Sequence, residues 1–224
     1  MGYLVFGDIH SRLDLALSLI EKAKKENLKL LSVGDIFHGP NGLGLDCFDA
    51  LVDAGCEFIA SNHDFIHVLY QKGIKQGLSP EDAVRAADFH CRLLPSGDAK
   101  LERVGKEVRE EIKVIGEERL NLISSFPFSR SFGDISIYHA KPAYNLLDAI
   151  DDADDWWQQV IKGSLVLHGT VVVGHEGDFA KEYNKMVFKQ LQGKVIALDL
   201  KAKRGGNVGF IVIENNEIIE IGKF

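Results

Sequence analysis

Short hydrophobic runs alternate with longer amphipathic segments through the first third of the chain. Strands are predicted at residues 3–6, 28–33 and 57–60, because each run is apolar and is bounded by polar or glycine-containing sequence. Apolar positions at helical spacing predict helices over 13–26 and 46–54. This alternation is typical of an α/β unit with neighbouring parallel strands.

A charged, helix-forming segment from about residue 65 to residue 125 breaks this alternation. Within it, "SPEDAVRAADFHCRLL" has Ser79 as a plausible N-cap, Pro80 at the first helical position and acidic residues in the first turn. A run of charge of this kind usually forms solvated helix faces. We therefore expect a helical insertion that packs beside the sheet.

Strand-like sequence returns after Pro127. Strands are predicted around "SRSFGDISIYHA", "GTVVVGHEGD", "KVIALDL" and "GNVGFIVIENNEIIEIG", and Asn215-Asn216 predicts a hairpin turn in the last of these. Between them, one of Trp156 and Trp157 is expected to pack in the core, with stacking on a nucleobase as the alternative. Without an internal repeat or a linker, residues 1–224 are most simply one domain with the helical insertion at about 65–125.

Composition limits the partners of this chain. Its 224 residues include 26 Lys and Arg against 33 Asp and Glu, and the formal charge of −7 opposes binding to a nucleic acid polymer or an anionic membrane. A phosphorylated substrate therefore needs metal ions or a few placed cations. The three cysteines lack metal-ligand spacing and are expected to be reduced, and neither a signal peptide nor a long apolar run is evident. We expect a cytoplasmic protein.

Polar side chains follow the predicted strands at their carboxyl ends. Asp8 and His10 stand one residue apart after the first strand, so both can point at one spot beyond its end. In open α/β sheets ligands bind at this edge. Carboxylate, amide and imidazole ligands together suit Mn, Fe, Zn or Ni, and seven candidates suggest two ions that share a carboxylate. These strand-end residues are Asp8, His10, Asp35, Asn62, His63, His139 and His175.

The motifs "GDIHS", "GDIFHGP", "SNHD", "YHAKP" and "VVGHEGD", in this order, resemble those of the calcineurin-like metallophosphoesterase superfamily. The segment "ALDLKAKRGGNVGF" is similar to the closing segment of the branch that holds phosphoprotein phosphatases and diadenosine tetraphosphate hydrolases. The resemblance spans nearly the whole chain. It implies an α/β (α+β) fold of the metallophosphoesterase type, a four-layer sandwich of two mixed β-sheets flanked by helices.

The resemblance also implies a dinuclear metal centre. It assigns Asp8 and His10 to the first divalent ion and Asp35 to the bridge between the ions. It assigns the second ion to Asn62, His139 and His175. For each of these residues taken alone, a turn or capping role is the alternative.

His63 and His38 are the catalytic candidates. His63 follows the asparagine of "SNHD", where the family has a general acid or an electrostatic partner of the leaving oxygen. The family motif GDxxDRG adds an aspartate that orients this histidine and an arginine that binds phosphate. Here "GDIFHGP" has His38 at the aspartate position and lacks the arginine. His38 is expected to hydrogen-bond His63 or the substrate, with a surface turn as the alternative, and the usual arrangement for phosphoprotein dephosphorylation is incomplete.

Other cations are candidates for phosphate binding. Arg12, Lys141 and Arg130 are the substrate-binding candidates, with Arg204 as a further possibility and a solvated surface role as the alternative for each. Asp64 is expected either to cap the next helix or to touch His63. The histidines without a motif position, which are assigned to structure, are His67, His90 and His168.

The predicted activity is phosphate-ester hydrolysis by a dinuclear metal-dependent phosphoesterase, through in-line attack of a hydroxide held by the metal pair. The substrate is expected to be a phosphorylated small molecule, a nucleotide or a phosphoprotein, with a serine/threonine phosphatase and a dinucleoside polyphosphate hydrolase both open. A different class of function is a non-catalytic or weakly active metal-binding module that retains the fold.

Overall fold

Two mixed β-sheets form the centre of the protein in a computed structural model that describes residues 2–91, 98–143, 148, 153–175 and 186–224. The strands in chain order are β1 (Gly2–Phe6), β2 (Leu28–Ser32), β3 (Glu57–Phe58), β4 (Ser129–Phe132), β5 (Ile135–Tyr138), β6 (Gly169–Val173), β7 (Val187–Lys189), β8 (Gly193–Ala197), β9 (Asp199–Leu200), β10 (Asn207–Glu214) and β11 (Glu217–Lys223). The helices are α1 (Leu13–Glu26), α2 (Leu45–Asp53), α3 (Asn62–Lys75), α4 (Pro80–Cys91), α5 (Asp98–Ser124) and α6 (Ala153–Lys162), with a short 3₁₀ helix at Ala202–Arg204.

Each sheet has a parallel centre and antiparallel edges. The first sheet has the order β11-β10-β1-β2-β3, with β9 paired to β10, and its strands β1, β2 and β3 are parallel. The second has the order β4-β5-β6-β8-β7, in which β5, β6 and β8 are parallel. The carboxyl ends of each parallel set therefore lie at one edge of its sheet.

Alternating side chains place the central strands of each sheet between two cores. In β1, Val5 points into the core between the sheets, where it meets Val172 of β6, whereas Leu4 and Phe6 point to helices α1 to α5. On the outer face of the second sheet, Val171 packs in a third core with Trp157 of α6. The layers are thus helices, sheet, sheet and helix, which confirms the predicted four-layer sandwich.

The helical segment begins earlier than the sequence suggests. Helix α3 starts at Asn62, so the "SNHD" motif forms the first turn of this helix instead of a loop before it. Ser61 is its N-cap, and the Ser61 hydroxyl accepts the Asp64 N–H at 3.4 Å. Helix α4 begins at Pro80 after Ser79, whose hydroxyl accepts the Asp82 N–H at 3.2 Å, as predicted.

Two elements were not predicted as they occur. Helix α6 lies in an acidic stretch, yet it buries Trp157 completely, and truncation of such a side chain typically costs about 3–5 kcal/mol. Trp157 is therefore the core tryptophan that the sequence led us to expect. The segment "KVIALDL" is split, because β8 pairs in the second sheet and β9 in the first, with buried Leu198 at the crossing.

The end of the chain forms the predicted hairpin. Asn215 and Asn216 adopt left-handed backbone angles, with φ of 51° and 64°, between β10 and β11. Cys47, Cys56 and Cys91 are free thiols. Among the described residues, none of the helices combines the length and the apolar character that a membrane crossing requires.

Candidate metal centre

The polar loops after the parallel strands meet around the carboxylate of Asp35. Its Oδ2 atom lies 3.7 Å from His10 Nε2 and 4.0 Å from His63 Nε2, and its Oδ1 atom lies 3.3 Å from His139 Nε2. The two oxygens of one buried carboxylate thus face two different sets of imidazoles. The structure places the predicted metal-ligating residues around this carboxylate. They are Asp8 and His10 after β1, Asp35 after β2, Asn62 at the start of α3, His139 after β5 and His175 after β6.

Two groups of possible ligand atoms share Asp35. One group is His10, Asp35 and His63, the other is Asp35, His139 and His175, and within each group the ligand atoms lie within 4.8 Å of one another. Imidazole nitrogen and carboxylate oxygen are ligands of borderline divalent metals such as Mn, Fe, Zn and Ni. The arrangement therefore fits a pair of ions with a common carboxylate.

Hydrogen bonds on the far side of two rings orient them for ligation. His139 Nδ1 lies 2.9 Å from the carbonyl oxygen of Val33, and His10 Nδ1 lies 3.2 Å from that of Phe37. Because a carbonyl oxygen can only accept, each Nδ1 carries the proton, and in the neutral ring the Nε2 lone pair faces Asp35. Histidines that bind metal ions usually donate their other N–H in this way.

Acceptor atoms face one another beside His139. The Asn62 amide nitrogen donates to the carbonyl oxygen of Cys91 at 3.1 Å, which turns Asn62 Oδ1 toward His139 Nε2 at 2.9 Å. Asp35 Oδ1 approaches the same nitrogen at 3.3 Å. In the neutral ring, three lone pairs converge there, and a cation among them satisfies all three.

Asp8 provides a further test of the fit. The residue is completely buried, its Oδ2 atom accepts the His175 N–H at 2.9 Å, and its Oδ1 atom has no hydrogen-bond partner among the described residues. Burial, followed by the negative charges of Asp199 and Asp35, raises the pKa of Asp8. An unpaired carboxylate oxygen at full burial is costly unless a cation binds it, so Asp8 fits the role of a metal ligand.

The loops that carry these ligands are strained. His10, Asp35 and His175 have φ angles of 42°, 52° and 64°, in the left-handed region that non-glycine residues avoid. Such conformations cost of order 1–3 kcal/mol each and persist only where the surroundings hold them. Here the Asp35 carbonyl oxygen accepts the His10 N–H at 2.9 Å, so the loop after β1 and the loop after β2 stabilise each other.

Asp64 stabilises the loop after β2, which carries Asp35. Its Oδ1 atom accepts the N–H groups of Ile36 and Phe37 at 3.0 and 3.1 Å, and its Oδ2 atom accepts the Ser61 hydroxyl at 2.8 Å. Asp64 was expected to cap α3 or to touch His63, but its carboxylate instead binds the backbone just after Asp35. Ser61 supplies the cap.

Burial and the charges of neighbouring groups shift the pKa values of Asp35, His63 and His175. Burial opposes ionisation of Asp35, but the surrounding rings of His139, His63 and His10 overcome this effect and lower its pKa. Burial also lowers the pKa of His63, and together with His139 it lowers the pKa of His175 to about 4. Neutral imidazole and ionised carboxylate are the protonation states that bind metal.

His38 reaches His63, as the sequence suggested. The two Nδ1 atoms lie 2.9 Å apart, and His38 Nε2 lies 3.2 Å from Glu111 Oε2. Because an ionised Glu111 can only accept, neutral His38 carries its proton on Nε2 and accepts at Nδ1 from His63. Lys203 lies 3.3 Å from His63 Nε2, the remaining acceptor position of that ring.

Sequence reasoning missed Glu111, His67 and Lys203. His67 was assigned to structure, yet its Nε2 atom lies 2.8 Å from Glu111 Oε2. The spacing of four residues between His63 and His67 on one helix could have placed these rings on the same face. Glu111 lies in α5, where its charge resembles that of many neighbours, and Lys203 lies beside the Arg204 that was chosen instead.

Two of the predicted substrate-binding cations contact residues outside the set of metal-ligand candidates. Arg12 forms a two-pronged ion pair with Asp14 at 2.8 and 2.6 Å. Arg130 binds Tyr3 Oη at 3.4 Å, and Tyr3 stands five residues before Asp8, which is roughly 16 Å along an extended strand. Lys141 lines a surface cavity with Tyr138. Residues 176–178 of the last motif lie outside the described residues, as does the side chain of His90.

Comparison with solved structures identifies the architecture. A structure described as that of a "putative diadenosine tetraphosphatase" superposes with a TM-score of 0.57 at 17% identity, covering 99% of this chain and 93% of that one. A metallophosphoesterase from Sphaerobacter thermophilus superposes with a TM-score of 0.54 at 15% identity, covering 99% and 90%. This chain has the metallophosphoesterase fold. No family model matches its sequence, and a search of curated proteins finds no relative.

The metallophosphoesterase fold confirms the two mixed sheets with flanking helices that the motifs implied. The low identity to both structures means that the likeness concerns the fold alone. The chemistry of the site therefore depends on the side chains of this chain.

Proposed function

We propose that this protein is a dinuclear metal-dependent phosphoesterase. The observation that carries the proposal is the position of Asp35, whose two carboxylate oxygens face two groups of imidazoles in the interior of the fold. Asp8 and His10 would hold one ion, Asn62, His139 and His175 the other, and Asp35 would bridge them. Two divalent ions, when bound, supply hydroxide near neutral pH and neutralise the phosphate oxygens in an in-line displacement.

His63 is the proposed catalytic side chain outside the metal ligands. Its Nε2 atom lies 4.0 Å from the bridging carboxylate, so a phosphate group bound beside Asp35 comes within reach of this ring. Its Nδ1 atom is fixed by His38 at 2.9 Å. We assign to His63, once it has taken up a second proton at Nε2, the protonation of the leaving oxygen, and to His38 the orientation of His63.

Lys203 is the proposed phosphate-binding cation. The second motif lacks the arginine expected there, whereas the Lys203 ammonium lies 3.3 Å from His63 Nε2. An ammonium group supplies one point charge in place of the two-pronged contact of a guanidinium. Arg12 and Lys141 stay candidates for contacts with more distant parts of a larger substrate. Arg130 is the weakest candidate because its guanidinium pairs with Glu57 and contacts Tyr3.

Phosphorylated small molecules and nucleotides are the favoured substrates. The missing arginine counts against the usual phosphoprotein arrangement, and one structure with this fold is described as that of a "putative diadenosine tetraphosphatase". We therefore place dinucleoside polyphosphates ahead of phosphoproteins. The three free cysteines fit a reducing compartment, so we place the activity in the cytoplasm.

We also propose that helices α3 to α5 belong to the same domain as the sheets. Helix α3 carries Asn62 and His63, and α5 carries Glu111, which contacts His38 of the second loop. The predicted insertion is then part of the site and not an appendage.

A substrate panel with a metal screen tests the proposal. The purified protein is loaded separately with Mn²⁺, Zn²⁺, Fe²⁺ and Ni²⁺ and assayed on an aryl phosphate, an aryl phosphodiester, a phosphopeptide and diadenosine tetraphosphate. We expect metal-dependent hydrolysis that Asp35→Asn abolishes. Metal binding without turnover of any substrate above the Asp35→Asn background would instead identify a non-catalytic module.

A further inference from the structure

A second set of metal-ligating side chains lies beside the candidate centre. His38 Nε2 and His67 Nε2 both converge on Glu111 Oε2, at 3.2 and 2.8 Å, and the three atoms lie within 4.8 Å of one another. We propose that His38, His67 and Glu111 bind an additional divalent transition-metal ion. This site is distinct from the Asp35 centre because none of its three residues belongs to the ligand set proposed there.

The chemistry of the donors supports a borderline divalent ion. Two imidazoles and one glutamate form a ligand set that holds zinc in proteins, with the fourth position left to water. Burial raises the pKa of Glu111, but its hydrogen bonds to His38 and His67 outweigh this effect and keep the carboxylate ionised. Burial lowers the pKa of His67, which therefore stays neutral. Glu111 and His67 are thus in their metal-binding protonation states.

The position of the cluster allows an ion to reach it. The His67 side chain is completely buried, whereas the side chains of His38 and Glu111 are each 23% exposed. The cluster is anchored on one side by a core residue of α3 and open to solvent on the other. The rings of His38 and His67 lie 5.1 Å apart at an angle of 32°, and both Nε2 atoms face Glu111 Oε2.

An ion at this cluster would change the hydrogen bonding of His63. Without it, His38 Nε2–H donates to Glu111, so His38 Nδ1 accepts and His63 carries its proton on Nδ1. With His38 Nε2 bound to metal, the neutral ring must carry its proton on Nδ1 and donate it to His63 Nδ1. The proton of neutral His63 then resides on Nε2, the atom that faces Asp35, and the Lys203 ammonium 3.3 Å away can no longer donate to it. Occupancy of the site therefore converts His63 Nε2 from an acceptor to a donor.

Metal stoichiometry tests the site. The full-length protein is equilibrated with Zn²⁺ alone, freed of loosely bound ion and analysed for zinc per chain, as the parent and as Glu111→Gln, His67→Gln and Glu110→Gln. Glu110 is an exposed neighbour on the same helix that pairs with Lys113, so Glu110→Gln makes the same change of charge outside the cluster. We expect Glu111→Gln and His67→Gln to bind one zinc ion fewer than the parent and Glu110→Gln to match it. Equal zinc contents in all four folded proteins would overturn the proposal.

The outcome can be separated from that of the proposed function. If the Asp35 centre takes no metal, the cluster still predicts one zinc ion that Glu111→Gln removes and Asp35→Asn retains. If the cluster takes no metal, Asp35→Asn removes all bound zinc and Glu111→Gln removes none, which contradicts the inference alone.

A spectroscopic measurement follows the tautomer directly. The ¹⁵N spectrum of the imidazoles in the parent is recorded before and after addition of Zn²⁺, with Glu111→Gln as the control. We expect zinc to shift the Nε2 resonances of His38 and His67 and to move the proton of His63 from Nδ1 to Nε2, and Glu111→Gln to suppress both changes. An unchanged His38 Nε2 resonance at saturating zinc would contradict the proposed site.

Discussion

The Nδ1 atoms of His38 and His63 lie 2.9 Å apart, so one ring donates to the other across the gap between the second loop and α3. His38 occupies the position at which the family motif has an aspartate. A neutral imidazole that is held by Glu111 can accept the same hydrogen bond that a carboxylate would. The departure from the motif thus preserves the orientation of His63 by different chemistry.

Replacement of His38 tests this orientation. His38→Ala removes the acceptor and should lower kcat by about 10–100-fold, because His63 is then free to rotate. His38→Asn should retain most of the rate, since its side-chain oxygen can accept from His63 Nδ1. Both rates are measured at saturating metal and substrate. Equal rates for the parent and His38→Ala would show that His38 has no part in catalysis.

The absence of a side chain at Gly174 is expected to leave room for the Asp8 carboxylate. A Cβ atom at residue 174 would overlap Asp8 Oδ1 and crowd Val33, so Gly174→Ala should displace the carboxylate and reduce metal content and rate together. Gly77→Ala is the matched control, because its φ of 86° makes alanine costly although the space around it is open. Both variants should lower the thermal midpoint. Only Gly174→Ala should lose metal, and equal metal contents would contradict the prediction.

Asp64 should prove to be a structural residue of the site. Asp64→Ala leaves the buried N–H groups of Ile36 and Phe37 without their acceptor, which should lower the free energy of unfolding by about 2–6 kcal/mol. Asp64→Asn keeps an oxygen for both N–H groups and removes only the acceptor of the Ser61 hydroxyl, so its cost should be smaller. Urea unfolding curves measure both values. A cost for Asp64→Asn as large as that for Asp64→Ala would argue that charge, and not hydrogen bonding, is the contribution of Asp64.

Buried histidines should make the metal-free protein sensitive to acid. Burial and His139 lower the pKa of His175 to about 4, below the ordinary value of about 6.5 that it regains on unfolding. The unfolded chain then binds more protons, so the stabilising effect is complete above about pH 6.5 and is lost as the pH falls toward about 4. A shift of this size is worth about 3 kcal/mol in the free energy of unfolding. In urea unfolding of chelator-treated protein across this range, His175→Gln should show a shallower pH dependence, and parallel curves would contradict the assignment.

The ends of the parallel strands could be predicted well, because each is marked by residues that are adjacent in sequence. Asp8, His10 and Asp35 each follow a recognisable apolar strand, and parallel strands bring their carboxyl ends to one edge. Helix α6 was not predicted, because its core residue, Trp157, lies in a short stretch of mostly acidic side chains. The split of β8 from β9 depends on which sheet each half joins, and that is decided by tertiary packing.

The motifs could not predict contacts between residues that are far apart in sequence. Glu111 contacts His38 only because α5 packs beside the loop after β2. No sequence pattern around Glu111 distinguishes it from the other acidic residues of that helix. Arg130 looked like a candidate because it lies on a strand of the second sheet near the motifs in sequence. Its side chain instead contacts Tyr3 and Glu57, near the starts of β1 and β3.

The most direct test of the account is the metal content of Asp35→Asn, measured beside its rate of phosphate-ester hydrolysis. We predict that Asp35→Asn binds about two ions per chain fewer than the parent and loses nearly all activity, because a bridging carboxylate holds both ions. Its thermal midpoint should change little by comparison, and the exposed control Glu107→Gln should match the parent in metal content and rate. A folded parent that binds no ion, or an Asp35→Asn variant with the metal content and rate of the parent, would contradict the dinuclear centre.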